Sequence, residues 1–430
     1  MQDLPRKLGL LEATSIVIGT VIGVGIFIVP SAIARDLPSS PMILAVWIIT
    51  GVISFFGALG YAELGAMMPH SGGQYLYLRE AYGTLPAFVC GWAFFLVIQS
   101  GSIATVSVGF SLYLSYLLPG VPGLSRWAPV ALIGILTFIN YRGIKAGAFV
   151  QVLFTILKIS GLALLIGSAF WHKSGPGLDW TASTSAFSIH GLGLAMLGCF
   201  VAYDGWHVIA FIAGEVREPR RNLPLALGLG VLASVVIYLL ASIAYLKLLS
   251  LPEIAASERV AATAAERSLG PIGATLMTLT IVLSSVGAAN GSILTAPRIY
   301  FAQARDGLFF RQLASIHPRF ETPHISILVQ GVWTSLLALS GSYEALFSYV
   351  LFASWVVHAM TVLGVLILRR KKPDVPRPYR MWGYPLAPLL FVVFALAFVV
   401  NTLIGRPGSS LIGALLILSG IPVYYIWRPR

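Results

Sequence analysis

The chain has 430 residues, of which 57% are hydrophobic and only 10% charged, with a mean hydropathy of +0.86 and a formal net charge of +12. So little polar surface excludes a soluble globular protein, and the chain reads as an all-α polytopic membrane protein in the lipid bilayer, with no soluble domain. The positive charge does not signal nucleic acid: with Met1 cytoplasmic and twelve spans, 20 Lys and Arg fall in inside segments and 7 in outside ones, the asymmetry that orients membrane proteins.

Taking ~20 residues per span, the apolar segments are expected in chain order at about Leu8–Ala34, Met42–Met68, Leu85–Leu118, Pro129–Tyr141, Gly147–Trp171 and Phe187–Ala213. The second half follows at about Leu225–Leu249, Ile272–Phe301, Ile325–Leu339, Tyr343–Leu368, Pro385–Ile404 and Ser410–Trp427. Met1 to Lys7 is short and charged, and no small-residue cleavage pattern follows it, so no removable signal peptide is expected. Pro224 is expected to open the seventh span, and the alanine-rich loop Pro252 to Gly270 is expected to be helical. Cys90 and Cys199 both lie within apolar segments and imply no disulfide framework. The basic inside segments place both termini in the cytoplasm of a multi-pass plasma (inner) membrane protein.

The first span carries IGTVIGVGIFIVP, Ile18 to Pro30, in which Gly19, Gly23 and Gly25 suit an uninterrupted helix poorly. A backbone opened inside a membrane is tolerated only where it is buried in protein or lines a cavity. The sixth span repeats the peculiarity with Asp204-Gly205 inside FVAYDGW. Two interrupted spans five segments apart point to inverted repeats, about 8–171 (spans one to five) and 187–369 (spans six to ten). Together they make a transporter core over 1–384, with spans eleven and twelve over 385–430.

A helix N-terminus offers unpaired amides and partial positive charge, and a C-terminus offers carbonyls and partial negative charge. If the first span breaks at Gly23 to Gly25, the amides of Val24, Gly25 and Ile26 suit a carboxylate. The carbonyls of Val21 and Ile22, with those of Phe200, Val201 and Tyr203, suit an ammonium. Both poles together suit an α-amino acid. The rival reading is that the glycines only let helices pack closely.

Lys158 lies in the middle of the fifth span, about a dozen residues from either end, further than a lysine stem reaches by snorkelling. It is read as an inward-facing cation that can hold the freed carbonyls where a sodium-coupled relative binds its ion. Asp204 is either a charged pocket residue or a cap for the following half-helix. Glu63 is expected to make a structural pair with a loop arginine. Gln99, Ser102 and Trp355 are candidate pocket walls, Trp206 a candidate gate, and Ser284 and Ser285 of the eighth span are grouped with Lys158. His190, His207 and His358 show no metal-ligand spacing, so no metal and no cofactor are expected.

GTVIGVGIF, YAELG with SGGQY, the lysine of VQVLFTILKISGL, AYDGW with PRRNLP, NGSILTAPRIYFAQARDG and RRKKPDVPRPYRMWGYP together resemble the amino acid, polyamine and organocation superfamily. Within it, the chain is most similar to prokaryotic members of the L-type amino-acid transporter family. The resemblance implies a LeuT-type fold of twelve spans with broken spans one and six, and sodium-independent exchange of amino acids. It carries the carboxylate site to Val24, Gly25 and Ile26, the ammonium site to Val21, Val201 and Asp204, and coupling to Lys158. Val24 stands where the family commonly has a small polar residue, and Val201 where it usually has a bulky aromatic lid. The loop Pro119 to Trp127 lacks the cysteine through which eukaryotic members join a glycoprotein, so no disulfide-linked subunit is expected.

The chain is therefore expected to carry neutral L-amino acids, the alternative being a proton-coupled amino-acid or amine symporter with Lys158 or Asp204 titrating. No nucleophile and base pairing suggests an enzyme. No repeated filter or charged ring suggests a channel.

Overall fold

A computed structural model of the chain describes residues 4–172, 175–178, 188–340, 343–405 and 407–427; Met1, Lys173, Phe187, Arg406, Arg428 and Arg430, used above, lie outside them. Among the described residues 11 helical segments are long and apolar enough to cross a membrane, and His324–Ser340 is a shorter apolar helix in the place of the ninth. Most are apolar around the whole circumference, with many leucines exposed and many alanines and serines buried. Small residues let helices approach closely where no hydrophobic force separates lipid from protein.

The first span is two helices, Leu10–Val21 and Gly25–Asp36, and the sixth is Ile189–Tyr203 followed by a 3₁₀ segment, Trp206–Glu215. The C-terminal half of the first span packs on the helical half of the sixth, and its N-terminal half packs on the 3₁₀ segment. The second (Ser40–Met67), fifth (Ile144–Trp171), seventh (Pro219–Leu248) and eighth (Pro271–Thr295, then Pro297–Arg305) spans wrap this pair.

Three differences from expectation have local causes. The seventh span starts at Pro219, with Pro224 inside it, because a proline in the first turn forfeits an amide that has no helical partner there. The fourth, Leu124–Tyr141, begins a turn earlier than expected, and Pro129 is likewise carried near its start. SGGQY does not trail the second span but launches a separate helix, Gln74–Tyr82, after Gly72 and Gly73 at φ +122° and +48°. A Cβ on Gly73 would fall 2.7 Å from Phe211, so this turn is fitted against the 3₁₀ half of the sixth span. The alanine-rich loop is helical as expected, over Leu251–Ala256 and Val260–Leu269, with Ser250 and Glu253 forming a capping box.

Several polar groups inside the bundle are paired across helices. Asn290 receives a bond from Asn140 (2.9 Å) and donates to Gln151 (2.8 Å) and the Gly147 carbonyl (3.0 Å), joining the fourth, fifth and eighth spans. At the end where the even-numbered connections gather, Glu63 accepts from two Arg369 nitrogens (2.8 and 2.6 Å), on the last turn of a helix rather than a loop, and from the Met381 amide (2.7 Å). Asp306 joins Tyr75 and Arg79, and Lys7 meets Glu321.

Glu215 and Arg298 form the most buried pair, both at most 1% exposed, through contacts of 2.7 and 3.1 Å. The Glu215 carbonyl also accepts the amides of Lys7 and Leu8, tying the chain start to the sixth span. Replacing Glu215 by Ala strands a buried guanidinium and is expected to lower unfolding stability by about 3–5 kcal/mol. Lys7→Ala, which breaks a partly exposed pair, should cost at most about 1 kcal/mol. Chemical unfolding of the purified protein in detergent, followed by circular dichroism, checks the contrast.

Candidate substrate site

The first break leaves Ile22, Gly23 and Val24 outside both helices, with Ile22 at ψ +75° and Val24 at φ −85°, ψ −14°. Of the two central glycines, Gly25 is the one that space demands. A Cβ there would lie 2.7 Å from the Ala202 Cα, whereas a Cβ on Gly23 meets nothing closer than 3.7 Å. At the second break Gly205 has φ +113°, and a Cβ on it would sit 2.9 Å from the Thr20 carbonyl. Both backbone conformation and crowding hold this position to glycine.

The two breaks are fastened to each other. Thr20 Oγ1 lies 3.0 Å from the Gly205 carbonyl and 2.6 Å from that of Ile16. Tyr238 of the seventh span lies 2.7 Å from the Val21 carbonyl and 2.9 Å from that of Ala202, so one hydroxyl proton serves both broken spans. Nothing in the local pattern around Tyr238 distinguished it from a packing residue.

Lys158 is fully buried and donates to the carbonyls of Gly19 (2.8 Å), Ile22 (2.7 Å) and Ser284 (3.1 Å). Its three protons are thereby all used. Ser284 Oγ lies 2.9 Å from the Ile22 carbonyl and 3.0 Å from that of Gly23. Ser285 instead bonds Ile281 in its own helix, so only one serine of the expected pair reaches the break.

These bonds correct one part of the sequence reading. The Val21 carbonyl already accepts from Tyr238 and the Gly23 amide, and the Ile22 carbonyl from Lys158 and Ser284. With two lone pairs each, both are saturated as internal braces, and the acceptors left for an ammonium belong to the sixth span. The amides of Val24, Gly25 and Ile26 have no acceptor among the described residues. In residues 20–26 and 200–206 the partly exposed positions are Val24, Gly25, Val201, Asp204 and Gly205, with buried residues all around. They lie where the two breaks adjoin, with the unpaired amides on the first span and the end of the helix Ile189–Tyr203 on the sixth.

Asp204 is not a simple cap. Its Oδ1 takes the adjacent Gly205 amide (2.8 Å), while the 3₁₀ segment starts from Gly205 without a side-chain cap. The same oxygen lies 3.4 Å from His207 Nδ1 and 3.4 Å from His358 Nε2. The two histidines, treated from sequence as unrelated, thus meet at one point, which the separation of 358 from 207 in the chain concealed. His190 is elsewhere, exposed near the start of the sixth span.

Phe200 is buried and packs edge-on against Trp355 (centroids 4.8 Å apart), with Phe394 and Phe398 beyond, whereas Val201 is partly exposed. Tyr203 is buried and donates to the Trp47 carbonyl (3.2 Å). Trp206 stacks on His358 (5.7 Å) and meets Tyr61 edge-on (4.9 Å). Gln99 follows a π-helical turn, Phe94–Ile98, that sequence periodicity did not reveal, and its amide lies 3.4 Å from His207. Ser102, one turn on, is partly exposed. A groove of about 510 Å³ between the fourth and ninth spans, lined by Gly134, Thr137 and Gly331 among others, shares no residue with the breaks.

Comparison with known proteins agrees with this construction. A family model described as "Amino acid permease" matches residues 8–427. The chain is 35% identical to the mouse "Large neutral amino acids transporter small subunit 2", over 98% of this chain and 81% of that protein. It is 34% identical to the "Serine/threonine exchanger SteT" of Bacillus subtilis (strain 168), over 99% and 98%. With the human "b(0,+)-type amino acid transporter 1" it shares 31%, over 99% and 88%. The chain belongs to the amino acid permease family of the amino acid, polyamine and organocation superfamily, and its helical bundle around two adjoining broken spans is a LeuT-type fold.

Proposed function

We propose that this membrane protein is a sodium-independent exchanger of neutral L-amino acids, working by alternating access in the plasma membrane with both termini cytoplasmic. The observation that carries the reading is the group of Val24, Gly25, Val201, Asp204 and Gly205, the partly exposed set in two otherwise buried breaks. The substrate carboxylate sits on the amides of Val24, Gly25 and Ile26, where the helix dipole adds to the hydrogen bonds. The ammonium faces the carbonyls of Phe200, Val201 and Tyr203 and the Asp204 carboxylate. Relatives named as a large neutral amino-acid transporter subunit and a serine/threonine exchanger support both substrate class and exchange. The loop over residues 119–127 has no cysteine, so no disulfide-linked subunit belongs to the proposal.

Exchange follows from the cost of an empty site. Without substrate, three amides remain unpaired as water is expelled on closure, and each unmade bond costs about 1–3 kcal/mol. Moving through the closed state loaded in both directions avoids that cost. Spans one to five and six to ten act as inverted repeats rocking about the breaks. Lys158 supplies a tethered amino group that holds the freed carbonyls at the first break, in place of a bound sodium ion, and so makes the cycle independent of sodium.

In proteoliposomes, counterflow of a labelled neutral amino acid is expected to proceed without sodium and to require amino acid inside the vesicle. A requirement for sodium, or the absence of exchange with every neutral amino acid tried, refutes the assignment. Lys158→Ala removes the partner of three buried carbonyls and should slow exchange at least about ten-fold, which is about 1.4 kcal/mol of barrier. Gly25→Ala should reduce the rate at least about ten-fold more than Gly23→Ala, because only the former drives a Cβ into Ala202. Initial rates per amount of folded protein measure both.

A further inference from the structure

The buried polar cluster at the second break has ligand chemistry beyond the Asp204 carboxylate that the proposed substrate site shares with it. We propose that Asp204, His207 and His358 form a binding site for a first-row divalent transition metal ion of the zinc class.

The three donor atoms lie within 4.8 Å of one another, and Asp204 Oδ1 is 3.4 Å from each histidine nitrogen. Zinc bound tetrahedrally at about 2.0–2.1 Å sets neighbouring ligands about 3.3 Å apart, so both Asp–His edges already match. The edge between the imidazoles, whose centroids are 4.5 Å apart, shortens as an ion draws the rings inward. His207 and His358 are 3% and 1% exposed, yet His207 Nδ1 and His358 Nε2 make no hydrogen bond among the described residues. Two buried imidazole nitrogens and a carboxylate oxygen aimed at one point lack only an occupant.

The surroundings fix the imidazoles as metal-binding histidines are fixed elsewhere. His358 Nδ1 lies 2.9 Å from Tyr61 Oη, and the tautomer that donates Nδ1–H to this oxygen leaves Nε2 bare. His207 Nε2 lies 3.4 Å from the Gln99 amide, whose unpartnered Oε1 accepts Nε2–H when that amide is turned over. The fourth position opens at Asp204, whose side chain is 24% exposed, where the breaks adjoin. No Lys or Arg pairs with Asp204 among the described residues. A divalent ion with two neutral imidazoles balances this carboxylate. Two nitrogens and one oxygen select zinc, cobalt, nickel or copper over magnesium or calcium.

Asp204 and His207 belong to the sixth span and His358 to the tenth, Tyr343–Lys371. A bound ion therefore ties these spans together and is expected to inhibit exchange. The inhibition rests on the transport reading; the binding does not.

The test uses the purified full chain, with zinc affinity measured by competition against a chelating dye and coordination by the visible absorption of cobalt(II). One equivalent of zinc at micromolar affinity or tighter, with a four-coordinate cobalt spectrum, is expected. His207→Gln and His358→Gln should each weaken zinc at least ten-fold, and Tyr61→Phe, which leaves all three ligands in place, should weaken it about 10–100-fold. His190→Gln should not change it. In proteoliposomes zinc should slow exchange at least ten-fold, a chelator should restore it, and both ligand variants should lose the response. No cobalt spectrum, or equal zinc affinity in the wild type and both ligand variants, overturns the site. Binding that leaves exchange untouched overturns the tie between the spans. A normal cobalt spectrum in a chain that exchanges no amino acid overturns the transport reading and upholds the site.

Discussion

The Lys158 ammonium, held by the carbonyls of Gly19, Ile22 and Ser284, is the interaction on which the rest of the site depends. Inside a bilayer an opened helix exposes backbone groups that no water can satisfy. A fully buried ammonium is equally unwelcome alone. Each removes the other's penalty, because three donors meet three acceptors. The arrangement fixes the fifth and eighth spans to the first at the point where the first is weakest.

With those carbonyls occupied, the polarity of the site becomes one-sided. The first span offers its free amides, and the sixth offers its carbonyls and Asp204. The close approach of Gly25 to Ala202 sets the gap between the two poles, which suits a molecule whose carboxylate and ammonium share one carbon. In the proposed site, side-chain preference is left to Val201 and to the polar corner of Gln99, His207 and His358. The packing of Phe200 against Trp355 leaves the lid position to a small aliphatic group.

The positions of both breaks were legible because glycine and an intramembrane carboxylate are costly in a lipid-facing helix and therefore stand out one residue at a time. Lys158 was legible for the same reason, and its depth in the span excluded an interfacial role. Tyr238 and His358 were not, since each looks like an ordinary helix residue until a distant segment is folded against it. The π-helical turn before Gln99 escaped because an inserted backbone position leaves hydrophobicity unchanged. Proline misled the reading of the seventh span, where Pro219, not Pro224, starts the helix. The glycines of SGGQY, noticed only as part of a motif, seat a turn against Phe211.

Tyr238 stands between the two broken spans with one proton and two carbonyls within reach, those of Val21 and Ala202. A fixed pair of bonds would resist any separation of these spans by the full worth of each. A shared proton behaves otherwise. If one carbonyl withdraws, the hydroxyl turns fully onto the other, so separation costs this joint its bond to one carbonyl and not to both. The joint between the spans is thus a single donor with two seats.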